Sequence, residues 1–253
     1  AMGIMEAAMG LASCLEWSDA IMSDALHQVG AMRIKILHEL WQGRVREADR
    51  LKQRLDVLRI ESSARQITDG SHLVAQATAH AYSEDLTRLK HAIDEIRVLA
   101  ERFPSWHPVL EWANGEYQRI RGDLDQSLEH LSAALDATRA GTHIVWPHAA
   151  GAYARALCGQ QRLAEAIELC ERNLRAAEQA DLGYLRLYIQ MPLAEALART
   201  GQFERAAALA DGIVSELLRM QSTGLNLALA FEVRARVAIE AKDRPMYELP
   251  RWV

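Results

Sequence analysis

Apolar residues recur along most of the chain at the three- and four-residue spacing of an amphipathic helix. One such stretch covers 149–157 and another covers 193–198, and each is followed by a second stretch of the same kind. No segment has the alternating pattern of a β-strand. The pattern therefore predicts an all-α protein in which helices come in pairs.

The second helix of each pair opens with a recurring pattern. A turn residue is followed by a large apolar residue two positions later and by a small residue three positions after that, as in Gly201, Phe203 and Ala206. A small residue there lets two helices cross closely, and Gly is suited to the left-handed turn between them. Five copies at a nearly constant spacing open on Val45, Leu86, Leu124, Leu163 and Phe203. The Leu86 copy is weaker, since it has Glu84 at the turn and Leu89 instead of a small residue.

Two segments carry a family resemblance. The sequences from Gly122 to Ala134 and from Leu193 to Ala210 resemble the tetratricopeptide repeat (TPR). The resemblance implies an α-solenoid of about five to six antiparallel helix pairs in a right-handed superhelix. The spacing of about 40 residues resembles the long-helix variety found in regulatory arms of large bacterial signalling ATPases and protein kinases.

This spacing also predicts the layout of the chain. We expect residues 1–17 to be an N-terminal capping helix or the end of a preceding region, 18–247 to be one continuous TPR-like domain, and 248–253 to be a tail. Within the domain, the helix pairs are expected at about 18–62, 68–102, 106–138, 144–179 and 182–220, with a last helix over 222–241.

Composition and charge narrow the classes of partner. The 29 basic and 34 acidic residues are interspersed and give a net charge of −5. The sequence therefore has no basic cluster that would attract nucleic acid or an anionic membrane, and we expect neither as a partner. No apolar run is long enough to cross a bilayer. The three cysteines have no Cys-x-x-Cys spacing, which argues against a disulfide framework and against a structural zinc site. This cysteine usage favours a reducing, cytoplasmic location.

The sequence contains no recognisable catalytic, cofactor or metal motif. Phosphate-binding glycine loops, a nucleophile elbow and His-Glu-x-x-His are all absent, so we expect no enzymatic activity, no cofactor and no metal. His143 and His148, like His72 and His80, are not spaced as metal ligands on a helix. Cys170 is expected to be a buried small hydrophobe, whereas the role of Cys158 stays open.

A binding surface is the functional feature that helix-pair repeats offer. Polar and aromatic residues on the first helices of the last three pairs are predicted to line the concave face, and they include residue types that are enriched at binding hot spots. This candidate surface consists of Trp112, Glu116, Arg119, His148, Arg155, Tyr184, Tyr188, Glu195 and Arg199. The alternative interpretation is that the aromatic members pack between repeats.

Three functions follow as hypotheses. The first is a non-catalytic scaffold that binds a protein or peptide on the concave face. The second is the sensory or regulatory arm of a larger bacterial signalling protein, a kinase or an ATP-dependent transcription regulator, with a small ligand in the superhelix. The third is an enzyme with an unrecognised pocket. An incomplete last helix pair further predicts that two chains associate through a terminal helix edge.

Overall fold

The structure is a computed structural model that describes residues 2–24, 27–61 and 70–242. This part of the chain is all-helical, as predicted, and contains thirteen α-helices and two short 3₁₀ turns. The α-helices are α1 (Met2–Ala8), α2 (Cys14–Met22), α3 (Gln28–Trp41), α4 (Val45–Glu61), α5 (Ser71–Tyr82), α6 (Leu86–Ala100), α7 (His107–Arg121), α8 (Leu124–Asp136), α9 (Trp146–Gly159), α10 (Leu163–Gln179), α11 (Leu187–Arg199), α12 (Phe203–Arg219) and α13 (Leu225–Ala241).

The predicted starts of the second helices are confirmed. Helices α4, α6, α8, α10 and α12 each begin at the large apolar residue that anchors one sequence copy. The residue two positions before each of these anchors has a positive φ: Gly43, Glu84, Gly122, Gln161 and Gly201. The left-handed turn is therefore retained even in the two copies that have Glu or Gln instead of Gly.

The small residue in the second helix makes the predicted close crossing. Ser127 on α8 is fully buried, and its hydroxyl donates a hydrogen bond to the Gly115 carbonyl on α7 at 2.8 Å. A Cβ atom at Gly115 would lie 2.5 Å from Cγ of Leu131. Small residues on both helices thus allow the two backbones to approach each other.

The chain divides into two compact units. We call Ala1–Ser83 together with Leu217–Ala228 the N-terminal unit, and Glu84–Glu216 together with Leu229–Val253 the C-terminal unit. This division differs from the expectation of one continuous domain over 18–247, because a segment far along the sequence belongs to the N-terminal unit. Residues 243–247, at the end of the predicted domain, and the predicted tail at 248–253 lie outside the described residues.

In the N-terminal unit, helix α1 packs against α2, α3 and α5. Three carbonyl groups at the end of α1 and just after it accept hydrogen bonds from a segment far along the sequence. The Ser222 hydroxyl donates to the Met9 carbonyl at 2.5 Å, the Thr223 amide donates to the Gly10 carbonyl at 3.1 Å, and the Asn226 side chain donates to the Ala8 carbonyl at 2.8 Å. These contacts satisfy groups that a helix end otherwise leaves without partners. We call residues 222–226 the clasp.

Two glycines permit the close approach of the clasp. Gly10 has a φ of +74°, and a Cβ atom on it would lie 2.2 Å from the Thr223 carbonyl oxygen. Gly224 has a φ of +72°, and its Cβ atom would lie 2.2 Å from the Trp41 carbonyl oxygen at the end of α3. Stacking of sequence neighbours alone does not bring such distant residues together. Residues 2–8 are therefore an integral part of this unit.

In the C-terminal unit, the first helices α7 and α9 each contact the helix before and the helix after them in sequence and the first helix of the next pair. Helix α7 packs against α6, α8 and α9, and α9 packs against α8, α10 and α11. At the contact between α9 and α11, a Cβ atom on Gly151 would lie 2.1 Å from the Tyr188 carbonyl oxygen. Pro192 lies four residues after Tyr188 and has no N–H to donate to that carbonyl, so the backbone of α9 approaches α11 where a proline interrupts its hydrogen-bond ladder.

Within the described ranges, no helix combines the length and the hydropathy that a membrane span requires.

Candidate functional site

Four charged residues occupy equivalent positions on successive first helices of the C-terminal unit. They are Glu116 on α7, Arg155 on α9, Glu195 on α11 and Arg236 on α13, and each follows the previous one by close to one repeat length. Their charges alternate in sign along the row. We call these four residues the charged column.

The column begins with a buried ion-pair cluster. One oxygen of the Glu116 carboxylate accepts a hydrogen bond from the Arg155 guanidinium, and the other accepts one from Nε of Arg119 at 2.8 Å. The Glu116 side chain is 1% exposed, whereas those of Arg119 and Arg155 are 16% and 19% exposed. A charged carboxylate is tolerated at this depth because two guanidinium groups compensate for it.

The same contacts determine the protonation of Glu116. Burial acts to raise its pKa, but the positive charges of Arg155 and Arg119, together with their hydrogen bonds, outweigh burial and lower the pKa to about 2. Glu116 is therefore ionised throughout the physiological pH range and fixes Arg155 between α7 and α9.

An aromatic stack lies beside this cluster. The ring centroid of His148 lies 5.4 Å from that of Trp112 and 4.2 Å from that of Tyr188, and Tyr184 follows at 6.5 Å from Tyr188. Burial and the nearby Arg155 lower the pKa of His148 to about 3, so the imidazole is neutral near pH 7. The rings therefore serve to join α7, α9 and α11.

The structure corrects the predicted exposure of this surface. The sequence-predicted residues do come together, but Trp112, Glu116, His148 and Tyr188 are buried and cannot present a concave surface to a partner. They pack between successive first helices, which is the alternative interpretation given above. Large aromatic side chains at these positions contribute more free energy as inter-helix packing than they would on an exposed face.

The column becomes accessible toward its other end. Side-chain exposure rises from 1% at Glu116 and 19% at Arg155 to 23% at Glu195 and 57% at Arg236. Arg236 contacts Glu195 at 3.5 Å and donates a hydrogen bond to Glu232, one helical turn earlier on α13, at 2.6 Å. We call Glu195, Glu232 and Arg236 the open end of the column.

The predicted Arg199 lies one turn beyond Glu195 on α11. Its guanidinium donates to the Cys158 carbonyl at 3.0 Å and to the Gln161 side chain at 2.6 Å. It therefore binds the C-terminal end of α9 to α11, where a cation also interacts favourably with the helix dipole.

Glu195 differs in its electrostatics from Glu116. Burial raises the pKa of Glu195, and Arg236 and Arg155 offset only part of that effect, so the net shift is upward. Burial alone would lower the pKa of Arg236, but Glu195 and then Glu232 raise it. The open end thus has a carboxyl group that holds its proton more readily than a free glutamate does.

The described residues present little reactive chemistry. Cys14, Cys158 and Cys170 are buried, as predicted for Cys170, and burial raises the pKa of each thiol, to about 11 for Cys14 and Cys158. The Cys14 sulfur lies 3.4 Å from Nδ1 of His38, whose pKa is lowered by burial, so this pair is neutral rather than a thiolate–imidazolium pair. Among the described residues, no group of three His, Cys, Asp or Glu side chains is placed to hold a metal ion.

Sequence reasoning missed Glu232 and Arg236. Both lie on α13, which the helix-pair scheme treats as a partial repeat. The available signal was the spacing itself, because Arg236 follows Glu195 by one repeat length and has the opposite charge.

No family model matches the chain, and no curated protein matches it.

Proposed function

We propose that the chain is a non-catalytic binding scaffold built from TPR-like helix pairs, and that it holds a protein or peptide segment at the open end of the charged column. The observation that carries this proposal is the rise in exposure along the column from Glu116 to Arg236. The buried end fixes the helices relative to one another, while the open end offers both signs of charge to a partner.

The arrangement of the open end supports binding in two ways. Arg236 is already held by Glu195 and Glu232, so its side chain loses less entropy when a partner binds than a free arginine would. Arginine also contributes more often than most residues to binding hot spots. A peptide that carries both acidic and basic side chains complements this surface.

The lack of catalysis is part of the proposal. The buried thiols, the neutral His148 and the tightly paired Glu116 all lie in packed interiors. None of them combines accessibility with the activated state that a nucleophile or general base requires.

The test is selection of peptides from a random display library on the immobilised chain. We expect enriched sequences with mixed charge, and we expect Arg236→Gln to weaken their binding about tenfold, which corresponds to about 1.4 kcal/mol. The matched control is Arg175→Gln on α10, since Arg175 is also an exposed arginine of the C-terminal unit. Circular dichroism establishes that both variants are folded. Enriched peptides that bind both variants equally, or a failure to enrich any peptide, would contradict the proposal.

A further inference from the structure

A cleft in the C-terminal unit lies apart from the charged column. It has a volume of about 240 Å³ and opens between the 3₁₀ turn Gly183–Arg186, the first turn of α11 and one face of α12. Leu187, Leu209 and Ile213 form its apolar lining. A cleft of this size accommodates a compact small molecule rather than a folded partner.

Gly212 keeps the cleft open. It lies in the middle of α12, where glycine costs about 0.5–1 kcal/mol relative to alanine. A Cβ atom at this position would meet no atom within 4 Å, and the residue has no positive φ. Neither close packing nor backbone conformation therefore requires a glycine here. The effect of the missing side chain is the open volume beside it.

Polar groups are placed at the edge of this apolar lining. Nε of Arg186 donates to the Gly183 carbonyl at 3.1 Å, which positions the guanidinium, and among the described residues no ion pair occupies its terminal nitrogens. Tyr184 also lines the cleft, and its hydroxyl makes no hydrogen bond within the described part of the chain. Burial raises the pKa of Tyr184, so the hydroxyl remains a neutral donor. Gln190 adds a side-chain amide.

Glu216 limits the charge that a ligand can carry. It lines the cleft one helical turn after Gly212 on the same face of α12. One negative group on a ligand can pair with Arg186, whereas a second would meet the Glu216 carboxylate.

We propose that this cleft binds a small monocarboxylate with a branched apolar tail. The carboxylate pairs with the terminal nitrogens of Arg186, in the geometry that a guanidinium favours. The tail fills the volume beside Gly212 against Leu209 and Ile213. The Tyr184 hydroxyl and the Gln190 amide are the remaining donors.

The experiment titrates the isotope-labelled full chain with 4-methylpentanoate and follows the Gly183 amide by NMR. We expect a saturable shift of this resonance. The uncharged amide, 4-methylpentanamide, and a dicarboxylate, 3-methyladipate, should each bind about tenfold more weakly. Arg186→Gln should weaken binding of the monocarboxylate by a similar factor, and Gly212→Leu should abolish it, because the leucine side chain fills the cleft.

A matched variant separates loss of the site from loss of the fold. Arg175→Gln removes an exposed arginine elsewhere in the unit, so it should retain binding, and circular dichroism reports on folding in every variant. Equal binding of acid and amide, unchanged binding in Arg186→Gln, or no saturable shift would overturn the proposal. Binding of leucine-terminated peptides without binding of the free acid would also overturn it. The outcome is independent of peptide binding at the open end, which Arg186→Gln leaves intact.

Discussion

The two units satisfy their buried polar groups over very different distances in sequence. In the N-terminal unit, the carbonyls at the end of α1 accept hydrogen bonds from the clasp, which lies almost a full chain length away in sequence. In the C-terminal unit, Glu116 pairs with Arg155 and Glu195 with Arg236, each across a single repeat length. The N-terminal contacts involve neutral groups and backbone, whereas the C-terminal contacts join opposite charges.

This difference shows two ways of fixing helices in a repeat-containing chain. In the charged column the same kind of contact recurs, because Glu116–Arg155 and Glu195–Arg236 each join neighbouring first helices one repeat length apart. The clasp occurs once and depends on two glycines that no repeat supplies. We therefore expect substitutions in the column to weaken contacts between neighbouring helix pairs, and substitutions in the clasp to release α1.

The largest effect is expected for Glu116→Ala. Removing this carboxylate deletes the ion pairs with Arg155 and Arg119 in a largely buried site, and we expect the free energy of unfolding to fall by about 3 kcal/mol. Chemical denaturation of the full chain measures this loss. Glu168→Ala is the control, because Glu168 is an exposed glutamate on α10, and it should change the free energy by less than about 0.5 kcal/mol.

Acid provides a second measurement on Glu116. Its folded-state pKa of about 2 lies below the ordinary 4.5, so its contribution to stability is complete above pH 4.5 and is lost as the pH falls toward 2. Glu116→Ala should lack this part of the acid sensitivity. The pKa of His148 is lowered as well, so His148 destabilises the fold progressively below pH 6.5 in the unsubstituted chain and in Glu116→Ala alike. The stabilities of the two proteins are therefore compared with each other at each pH. Identical curves below pH 4.5 would show that the pair does not stabilise the folded state.

The clasp is tested by Gly10→Ala against Gly43→Ala. Both glycines have a φ of +74°, so the two substitutions impose the same backbone strain, but only the Gly10 Cβ atom meets the Thr223 carbonyl oxygen, since Gly43 has no atom within 4 Å. Gly10→Ala should therefore be destabilising by about 2 kcal/mol more than Gly43→Ala. Hydrogen exchange should also become faster in residues 2–10 of the Gly10 variant. Equal stability of the two variants would mean that the close approach contributes nothing.

The sequence predicted the repeating part of the structure and missed what does not repeat. The five anchor residues from Val45 to Phe203 begin second helices, because the turn and the apolar anchor are local signals, joined in four of the five copies by a small crossing residue. The contact of Gly10 with Thr223 has no local signal. Each glycine by itself is typical of an ordinary helix end, and only the folded backbone brings the two segments together.

The sequence predicted which residues come together in the candidate site, but it did not predict how far each side chain is exposed. Helical spacing placed Glu116, Arg155 and Glu195 on equivalent faces, because equivalent positions follow from the repeat length. It could not determine depth, since the burial of Trp112 and His148 depends on how closely neighbouring first helices pack. The missing side chain at Gly151 sets that distance between α9 and α11, and its role depends on a carbonyl in the following helix pair.

The smallest expected effect concerns two glycines that occupy similar places in different helices. Gly151 and Gly212 both lie in helix interiors, where alanine is ordinarily favoured by up to about 1 kcal/mol. Gly212→Ala should stabilise the chain by about 0.5 kcal/mol, because the added methyl group meets open space. Gly151→Ala should instead be destabilising by about 1 kcal/mol, because its Cβ atom would meet the Tyr188 carbonyl oxygen and the overpacking outweighs the gain in helix propensity. Urea unfolding midpoints at unchanged slope measure both. Stabilisation by both substitutions would show that α9 and α11 can separate at little cost, and the packed column would then not fix the helices on which the open end depends.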